Sequence, residues 1–259
     1  LNVLQYKADR IMLADKLNPE QKQTRLLKEL QDLLGMPKMP AQIECFDNSN
    51  ISGQDAVAAC VVFRMGKPSK QDYRRYTIKT VSGPDDYASM QEVVRRRYSR
   101  MMQEGTPLPD LIITDGGRGQ MEVVRQVVED ELHLDIAIGG LAKDDKHRTH
   151  ELLFGFPPRT IGCKPDSPLF RLLTQIQDEV HRFAITFHRE KRSKRQVASE
   201  IDTIKGIGPK SKELLLKAFH SVKRMREASE QDLAGVIGPQ KAALLHEYFH
   251  TKHDGEAEG

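Results

Sequence analysis

The sequence has little cysteine and no long apolar run, and both absences limit what the protein can be. Its three cysteines, Cys45, Cys60 and Cys163, lie far apart and form no CxxC pair. We therefore expect reduced thiols rather than a zinc cluster or a disulfide framework. No segment approaches the roughly 18 consecutive apolar residues of a membrane-spanning helix, and there is no signal-peptide pattern. We expect a cytoplasmic protein without a membrane partner.

The chain is long enough for more than one domain. Its 259 residues are 38% hydrophobic and 30% charged, which predicts one large domain with a real core and one small domain. The sequence opens on Leu1 rather than on methionine, in a polar stretch with helical leucine spacing. We therefore expect a fragment of a longer protein, in which residues 1–40 form a helical linker segment.

Positive charge is concentrated late in the chain. Between Arg182 and Arg226, thirteen lysines and arginines stand against four acidic residues, a net charge of +9, whereas the whole chain carries +3. Such a concentration is typical of a protein that binds a polyanion. The alternative is a solvated helix face. On the first interpretation Arg189 and Arg192 are candidate DNA contacts.

Two short apolar runs each end on an aspartate. Residues 43–47 end on Asp47, and residues 111–115 end on Asp115. A carboxylate at the end of a buried strand adds nothing to a core and is more naturally displayed at the edge of a sheet, where ligands bind. Two such carboxylates at neighbouring strand ends suit Mg²⁺ or Mn²⁺ and phosphodiester hydrolysis.

The order of the predicted elements indicates an α/β fold with a mixed sheet. Three strands separated by turn signals predict an antiparallel meander, after which strands alternate with helices. A short hairpin and a long helix that starts at Ser167 and Pro168 follow. The predicted strands cover residues 42–46, 56–63, 73–81, 111–115 and 136–141, and the predicted helices cover residues 85–102, 120–132 and 168–192.

The tail contains an internal repeat with a spacing of thirty residues. This spacing predicts two helix–turn–helix units that bury their apolar faces on each other. The first copy contains Gly208-Pro209, Leu214-Leu215 and Phe219, and the second contains Gly238-Pro239, Leu244-Leu245 and Phe249.

The turn in the first copy has the composition of a phosphate-binding turn. Gly206 and Gly208 allow close backbone approach and leave N–H groups free at the start of the next helix, which binds phosphate without reading sequence. Lys210 and Lys212 add charge. The pair of copies is similar to the tandem helix-hairpin-helix motif, with a plain helical hairpin as the alternative. In the second copy Gly238 is a candidate contact, but a valine replaces the first glycine, so we expect weaker binding there.

A second glycine-rich turn, at residues 116–119, follows Asp115. No Gly-Lys-Ser/Thr follows it, which excludes a P-loop, and Glu122 stands where a dinucleotide fingerprint needs its third glycine. These departures argue against a Rossmann-type nucleotide enzyme. We expect the glycines to let a DNA backbone or a metal-bound water approach Asp115.

Six ordered motifs, followed by the hairpin pair, carry a resemblance to a known family over about residues 40 to 250. They are Glu44-Cys45-Phe46-Asp47, Asp72-Tyr73-Arg74-Arg75-Tyr76, Asp85-Asp86-Tyr87, Arg95-Arg96-Arg97-Tyr98, Ile113-Thr114-Asp115-Gly116-Gly117 and Asp178-Glu179-Val180-His181-Arg182-Phe183-Ala184. Together they resemble the C-terminal half of the UvrC family, the nuclease subunit of bacterial excision repair.

The resemblance implies two domains. The first is an RNase H-like endonuclease domain, a mixed sheet flanked by helices, which we place at residues 41–195. The second is a small all-α tandem helix-hairpin-helix DNA-binding domain at residues 196–251. We expect residues 252–259 to be a disordered tail.

The resemblance also implies the site residues. Asp47 and Asp115 match the metal-binding aspartates on the family's first and fourth strands. His181 matches the histidine that stands where related nucleases use a further carboxylate. His188, about two helical turns later, competes with it on spacing alone. Asp86 matches another acidic position of the family and is equally suited to cap a helix.

The implied function is metal-dependent cleavage of the damaged DNA strand 5′ to a lesion. The expected cofactor is Mg²⁺ or Mn²⁺, and the expected partners are lesion-containing double-stranded DNA and UvrB. The rival interpretation is a non-catalytic DNA-binding module that acts through its hairpin pair. Asp47, Asp115 and His181 discriminate between the two, because a mere scaffold needs none of them.

Overall fold

The computed structural model of the chain describes residues 18–49, 56–81, 83, 85–143 and 149–251. The predicted tail, residues 252–259, and residues 1–17 of the predicted linker lie outside these ranges. By its contacts the chain divides into two compact units, Leu1–Ile185 and Thr186–Gly259. Within the described ranges, no helix is long and apolar enough to cross a membrane.

The described strands of the first unit form one mixed sheet, as the sequence predicts. They are β1 Gln42–Ser49, β2 Val57–Arg64, β3 Lys67–Pro68, β4 Arg74–Thr77, β5 Leu111–Thr114, β6 Ala137–Lys143, β7 Thr149–Phe154 and β8 Arg159–Ile161. Across the sheet they follow the order β3-β2-β1-β5-β6-β7-β8, and β4 also pairs with β2. β5 runs parallel to β1 and to β6, while the other pairs are antiparallel.

Helices precede, connect and follow the strands of the first unit, and the described secondary structure of the second unit is helical. They are α1 Pro19–Leu34, α2 Asp86–Glu104, α3 Arg118–Arg125, α4 Pro168–Asp202, α5 Pro209–Phe219, α6 Val222–Glu227, α7 Glu230–Ile237 and α8 Pro239–Thr251. α3 continues as a π-helical segment over Gln126–Glu131. The division between the two units falls inside α4.

Local sequence signals set several helix ends. Gly35, in the left-handed conformation, ends α1. Asp85 caps α2 by accepting a hydrogen bond from the Ala88 N–H. Ser167 does the same for α4 through the Phe170 N–H, 3.1 Å away. These caps satisfy backbone donors that a helix start leaves unpaired.

The core of the first unit surrounds β2, whose residues from Val57 to Phe63 are buried without alternation. Burial at every position is expected of a strand that is covered on both faces of its sheet. α1 contributes Leu27, Leu30 and Leu34 to the same core. The predicted linker segment therefore supplies core residues of the first unit.

Two strands differ from their predicted bounds, and strand pairing explains both differences. β1 continues past Asp47 because residues up to Ser49 pair with β2, so Asp47 lies inside a strand rather than at its end. β4 ends at Thr77, well before the predicted residue 81. The N–H groups of Lys79 and Thr80 donate to the Glu92 carboxylate on α2 instead of to a neighbouring strand.

In the second unit the internal repeat shows in the pattern of burial. Leu215 and Leu245 are fully buried in one apolar core, whereas the preceding leucine of each copy is exposed. Gly206 has a φ of 95°, a backbone conformation that favours glycine. The valine at the equivalent position of the second copy is helical, within α7. The prediction of two helical units that bury their apolar faces on each other is confirmed, and the weaker binding expected of the second copy stays a prediction.

Candidate metal centre

Sheet register brings Asp47 and Asp115 side by side. In the parallel pair of β1 and β5, Phe46 stands opposite Thr114, and the Asp115 N–H donates to the Phe46 carbonyl oxygen at 2.9 Å. The two aspartates are the next residues in this register, so their side chains project from the same face of the sheet. Both are buried, with 7% and 8% exposure.

α4 brings His181 to the same face. Its Nδ1 lies 3.2 Å from the Oδ2 of Asp47. Asp47, Asp115 and His181 each offer one ligand atom, and these atoms lie within 4.8 Å of one another. The His181 side chain is 55% exposed and that of Asp47 only 10%. The two carboxylates of the group are therefore buried, whereas its imidazole is exposed to solvent.

Gln177 holds Asp115 from the same helix. Its Nε2 donates to the Asp115 Oδ1 at 2.5 Å and to the Leu141 carbonyl oxygen at 3.3 Å. Because Leu141 lies on β6, this amide ties α4 to two strands at once. Sequence reasoning missed Gln177, although residues four apart on a helix share a face and His181 was already a candidate.

The glycine-rich turn after Asp115 lies closely against the sheet. A side chain added at Gly140, on β6, would come within 2.6 Å of the Gly116 carbonyl oxygen. The turn can take this path only because that position has no side chain. α3 then begins at Arg118 with Gly117 as its N-cap, without a side-chain cap hydrogen bond.

Two other sequence candidates lie outside the group of three. Asp86 is exposed in the first turn of α2, where its carbonyl oxygen accepts a hydrogen bond from Asn48 Nδ2 at 2.7 Å. The cap of that helix is Asp85, so a catalytic role for Asp86 stays a prediction. His188 is buried in the second unit. Of the two histidines, the structure brings only His181 together with the aspartates.

A buried ion pair anchors β1 from the opposite face. Arg97, on α2, donates to both oxygens of Glu44 at 2.5 and 2.6 Å, and the Tyr98 hydroxyl donates to Glu44 at 3.1 Å. Burial raises the pKa of Tyr98 and of the neighbouring Cys60 thiol well above their usual values, which keeps both neutral. Breaking such a pair leaves an uncompensated buried charge, at a cost of roughly 3–5 kcal/mol. The strand that carries Asp47 is thereby held to α2.

The donor set fits a hard divalent cation. Carboxylate oxygens are the ligands that Mg²⁺ and Mn²⁺ prefer, and a neutral imidazole is a ligand for Mn²⁺ or a proton carrier near neutral pH. Asp47 and Asp115 already converge, and the exposed ring of His181 leaves the group open on one side. Such an arrangement can hold a metal and admit a phosphate group from solvent.

Three of the predicted DNA contacts of the second unit, Gly208, Lys210 and Lys212, lie at the start of α5. Gly208 is its N-cap, without a side-chain cap hydrogen bond, and Lys210 is exposed in its first turn. Lys212 forms an ion pair with Asp202 at 2.5 Å. The remaining candidates are Gly206, at a φ of 95°, Gly238, at a φ of 84°, and the exposed Arg189 and Arg192 of α4.

Comparison with protein families gives two matches. The model described as UvrC RNAse H endonuclease domain matches residues 31–185. The model described as SAM-like helix-hairpin-helix tandem matches residues 198–250. The first match includes all three residues of the candidate metal centre, and the second includes the glycine turns of the repeat.

Curated relatives are similar over most of the chain. UvrABC system protein C of Bacteroides thetaiotaomicron is 73% identical over 236 residues, which cover 91% of this chain and 39% of that protein. The protein of the same name from Streptococcus gordonii is 55% identical over 210 residues, 81% of this chain and 34% of that protein. The chain thus spans only about a third to two fifths of the length of these relatives.

Among solved structures the likeness is more distant. The crystal structure of human ENDOV aligns with a TM-score of 0.35 and 10% identity over 66% of this chain and 98% of that chain. That of Ciona intestinalis Endonuclease V in complex with a 24mer DNA has a TM-score of 0.32 and 15% identity, over 48% of this chain and 55% of that chain. At this level of similarity no functional argument follows from the two folds.

Proposed function

This chain belongs to the UvrC family, and we propose on that premise that it is a metal-dependent DNA endonuclease of nucleotide excision repair. The proposed reaction is hydrolysis of a phosphodiester bond 5′ to a lesion in the damaged strand. The observation that carries the proposal is the convergence of Asp47, Asp115 and His181, whose ligand atoms lie within 4.8 Å of one another.

The side chains of this group have distinct tasks in the proposed reaction. A Mg²⁺ or Mn²⁺ ion would supply an activated water and offset the negative charge on the oxygens of the pentacoordinate phosphorus. Asp47 and Asp115 would hold it through their carboxylate oxygens, and Gln177 would fix the orientation of Asp115. His181 would bind the same ion or carry a proton to or from the reacting groups, since its ring is exposed.

The proposed substrate is lesion-containing double-stranded DNA, and the proposed protein partner is UvrB. The tandem hairpins of the second unit would hold the DNA backbone through free N–H groups and lysines. We propose a nuclease domain and a DNA-binding domain that share α4, with α1 belonging to the nuclease domain because its leucines join that core. The proposed location is the cytoplasm.

The test is a nicking assay with an Asp115→Ala variant. Lesion-containing duplex, UvrB and either Mg²⁺ or Mn²⁺ are incubated with wild-type or variant chain, and incision 5′ to the lesion is measured. We expect the variant to lose nicking, because removing one of two carboxylates deprives the cation of a principal ligand. DNA binding, measured by fluorescence anisotropy, stays near the wild-type value.

Asp135→Ala is the matched control, because Asp135 is an exposed aspartate outside the group of three and its loss leaves nicking unchanged. Normal incision by the Asp115→Ala variant would contradict the metal-site assignment. A wild-type chain that binds DNA but nicks with neither cation would instead be the non-catalytic DNA-binding module.

A further inference from the structure

The row of the sheet that carries Asp47 continues across two more strands and ends on an arginine. Asp47 stands opposite Ala59 of β2, and Ala59 stands opposite Arg75 of β4. Residues directly opposite in antiparallel strands place their side chains on the same face. Arg75 therefore lies on the face of Asp47 and Asp115, with its Cα about 10 Å from that of Asp47.

An aromatic side chain next to the metal centre positions this arginine. The guanidinium carbon of Arg75 lies 4.7 Å from the centroid of the Phe183 ring, a cation–π contact. Phe183 follows His181 by two residues on α4 and packs edge-on against Tyr73, with ring centroids 5.1 Å apart. The helix that supplies His181 thus also orients Arg75, while Arg75 itself stays exposed.

Such an arginine suits a DNA strand that passes over the candidate metal centre. A guanidinium offers a fork of N–H donors that matches phosphate oxygens, and a ring beneath it limits its motion before the phosphate arrives. Cleavage at a defined bond requires the strand to be held in register near the reacting phosphate. An arginine whose Cα lies about 10 Å from that of Asp47 is close enough to contact the same strand.

We propose that Arg75 binds a backbone phosphate of the strand being cleaved, beside the phosphate that reacts at Asp47, Asp115 and His181. Phe183 is the positioning residue that holds the guanidinium. This assignment rests on the proposed endonuclease function and adds a substrate contact to it. It also gives the nuclease unit a DNA contact of its own, in addition to those of the hairpins.

Arg74 provides a matched control. It is exposed and adjacent to Arg75, but it stands opposite Cys60, whose sulfur contacts Glu44 on the other face of the sheet. Its Nη1 donates to the carbonyl oxygens of Gln71 and Tyr73 at 2.9 and 2.8 Å. Arg74→Ala therefore removes the same charge from the same strand, on the face opposite the metal centre.

The experiment compares Arg75→Ala, Arg75→Lys, Phe183→Leu and Arg74→Ala in the nicking assay and in DNA binding at several salt concentrations. We expect Arg75→Ala to lower kcat/KM for nicking about tenfold or more, and Arg75→Lys and Phe183→Leu to lower it less. The slope of log K against log salt becomes shallower by about 0.9 for one lost phosphate contact in Arg75→Ala. Arg74→Ala matches wild type in both measurements.

Equal behaviour of Arg75→Ala and Arg74→Ala, in nicking or in salt slope, would overturn the assignment. Thermal unfolding of each variant identifies a loss of nicking that is caused by misfolding. If Arg75→Ala misfolds, Arg75→Lys is compared with Arg74→Ala instead, because it preserves the strand and most of the side chain. Wild-type kcat/KM in Arg75→Lys would then overturn the assignment. The Asp115→Ala arm separates this result from the wider proposal. If Asp115→Ala is inactive while Arg75→Ala and Arg74→Ala nick DNA equally well, the role of Arg75 is wrong and the endonuclease function stands. Normal nicking by Asp115→Ala overturns both.

Discussion

At the scale of single residues, Gln177 allows the orientation of a metal ligand to be tested separately, because it contacts Asp115 without belonging to the group of three. Its amide donates to one oxygen of that carboxylate and to a β6 carbonyl. Partners of this kind, which orient a metal ligand, typically change metal affinity about 10- to 100-fold when removed. We therefore predict that Gln177→Leu raises the Mn²⁺ concentration for half-maximal nicking by that factor, as measured by a metal titration of nicking.

Gln175→Leu is the control for this prediction. Gln175 is exposed on the same helix two residues earlier, so the substitution changes polarity without touching the aspartates. We expect its metal titration to follow that of wild type. DNA binding without metal should be the same for both variants. A Gln177→Leu titration that coincides with wild type would show that the hydrogen bond does not tune the site.

The residues of the site differed in how far the sequence could predict them. Asp47 and Asp115 followed from two apolar runs, because a carboxylate after a buried run is informative by itself. His181 came only from the family resemblance, since spacing left His188 as a competitor. Gln177 shares a helix face with His181, which is a signal that the sequence offers. The contact of Gln177 with Asp115 and the role of Arg75 depend on how α4 lies on the sheet and on strand register. Neither quantity is encoded in local sequence.

At the scale of elements, a buried carboxylate on α2 joins that helix to the chain after β4. Glu92 accepts hydrogen bonds from the N–H groups of Lys79 and Thr80, from the Thr80 hydroxyl and from Arg96. Burial by itself would raise the pKa of Glu92, but these bonds outweigh it and lower the pKa to about 2. The carboxylate is therefore bound in its ionised form.

This lowered pKa makes stability depend on pH with a definite sign. The unfolded carboxyl titrates near its usual value of 4.5, so the stabilisation is fully present above that pH and is lost as pH falls towards 2. We predict that Glu92→Gln lowers the free energy of unfolding by roughly 2–3 kcal/mol at pH 7. The difference in the free energy of unfolding between Glu92→Gln and wild type should be smaller at pH 3 than at pH 7. Urea denaturation at both pH values measures it.

Glu104→Gln gives the comparison on the same helix. Glu104 is half-exposed and pairs with Arg100 at 2.7 Å, and exposed pairs of this kind contribute at most about 1 kcal/mol. Its substitution should lower the free energy of unfolding at pH 7 by no more than that amount. If Glu92→Gln causes an equally small loss at pH 7, the four hydrogen bonds do not stabilise the ionised form as their geometry indicates.

Element types were predictable from the sequence, whereas element bounds followed from pairing. The mixed sheet, the late hairpin and the helix starts at Asp85 and Ser167 all carry local signals. β1 extends beyond its apolar run because it pairs with β2 as far as Ser49. β4 ends before its predicted bound because the N–H groups of Lys79 and Thr80 donate to Glu92. Bounds of this kind depend on partners that are distant in sequence.

At the scale of the whole molecule, the proposed metal centre and the proposed hairpin contacts with DNA lie in different units. The carboxylates of the metal centre belong to the first unit, and the repeat with its glycine turns belongs to the second. The sequence predicted both units from their motifs. The boundary predicted after residue 195 rests on the family resemblance and has no local signal of its own, because α4 runs from Pro168 to Asp202 with neither proline nor glycine after its first residue. A continuous helix carries no composition signal at such a division.

The second unit makes a prediction of its own about salt. If its first turn holds phosphate, a lysine at the start of α5 should matter more than one at its end. Lys210 is exposed in the first turn, beside the N-cap Gly208, where the helix dipole also favours anions. We predict that Lys210→Ala weakens duplex binding and makes the slope of log K against log salt shallower by about 0.9, the value for one phosphate contact. Fluorescence anisotropy across a salt series measures both.

Lys217→Ala tests whether position, rather than charge alone, decides the effect. Lys217 lies in the last turn of the same helix, is largely exposed and pairs with Glu213 at 2.9 Å. Its loss changes the net charge of the unit as much as Lys210→Ala does, but at the end of the helix where the dipole repels anions. We expect its salt slope to equal that of wild type. Equal slopes for the two variants would mean that the unit attracts DNA by its overall charge, and that the turn at Gly208 holds no phosphate.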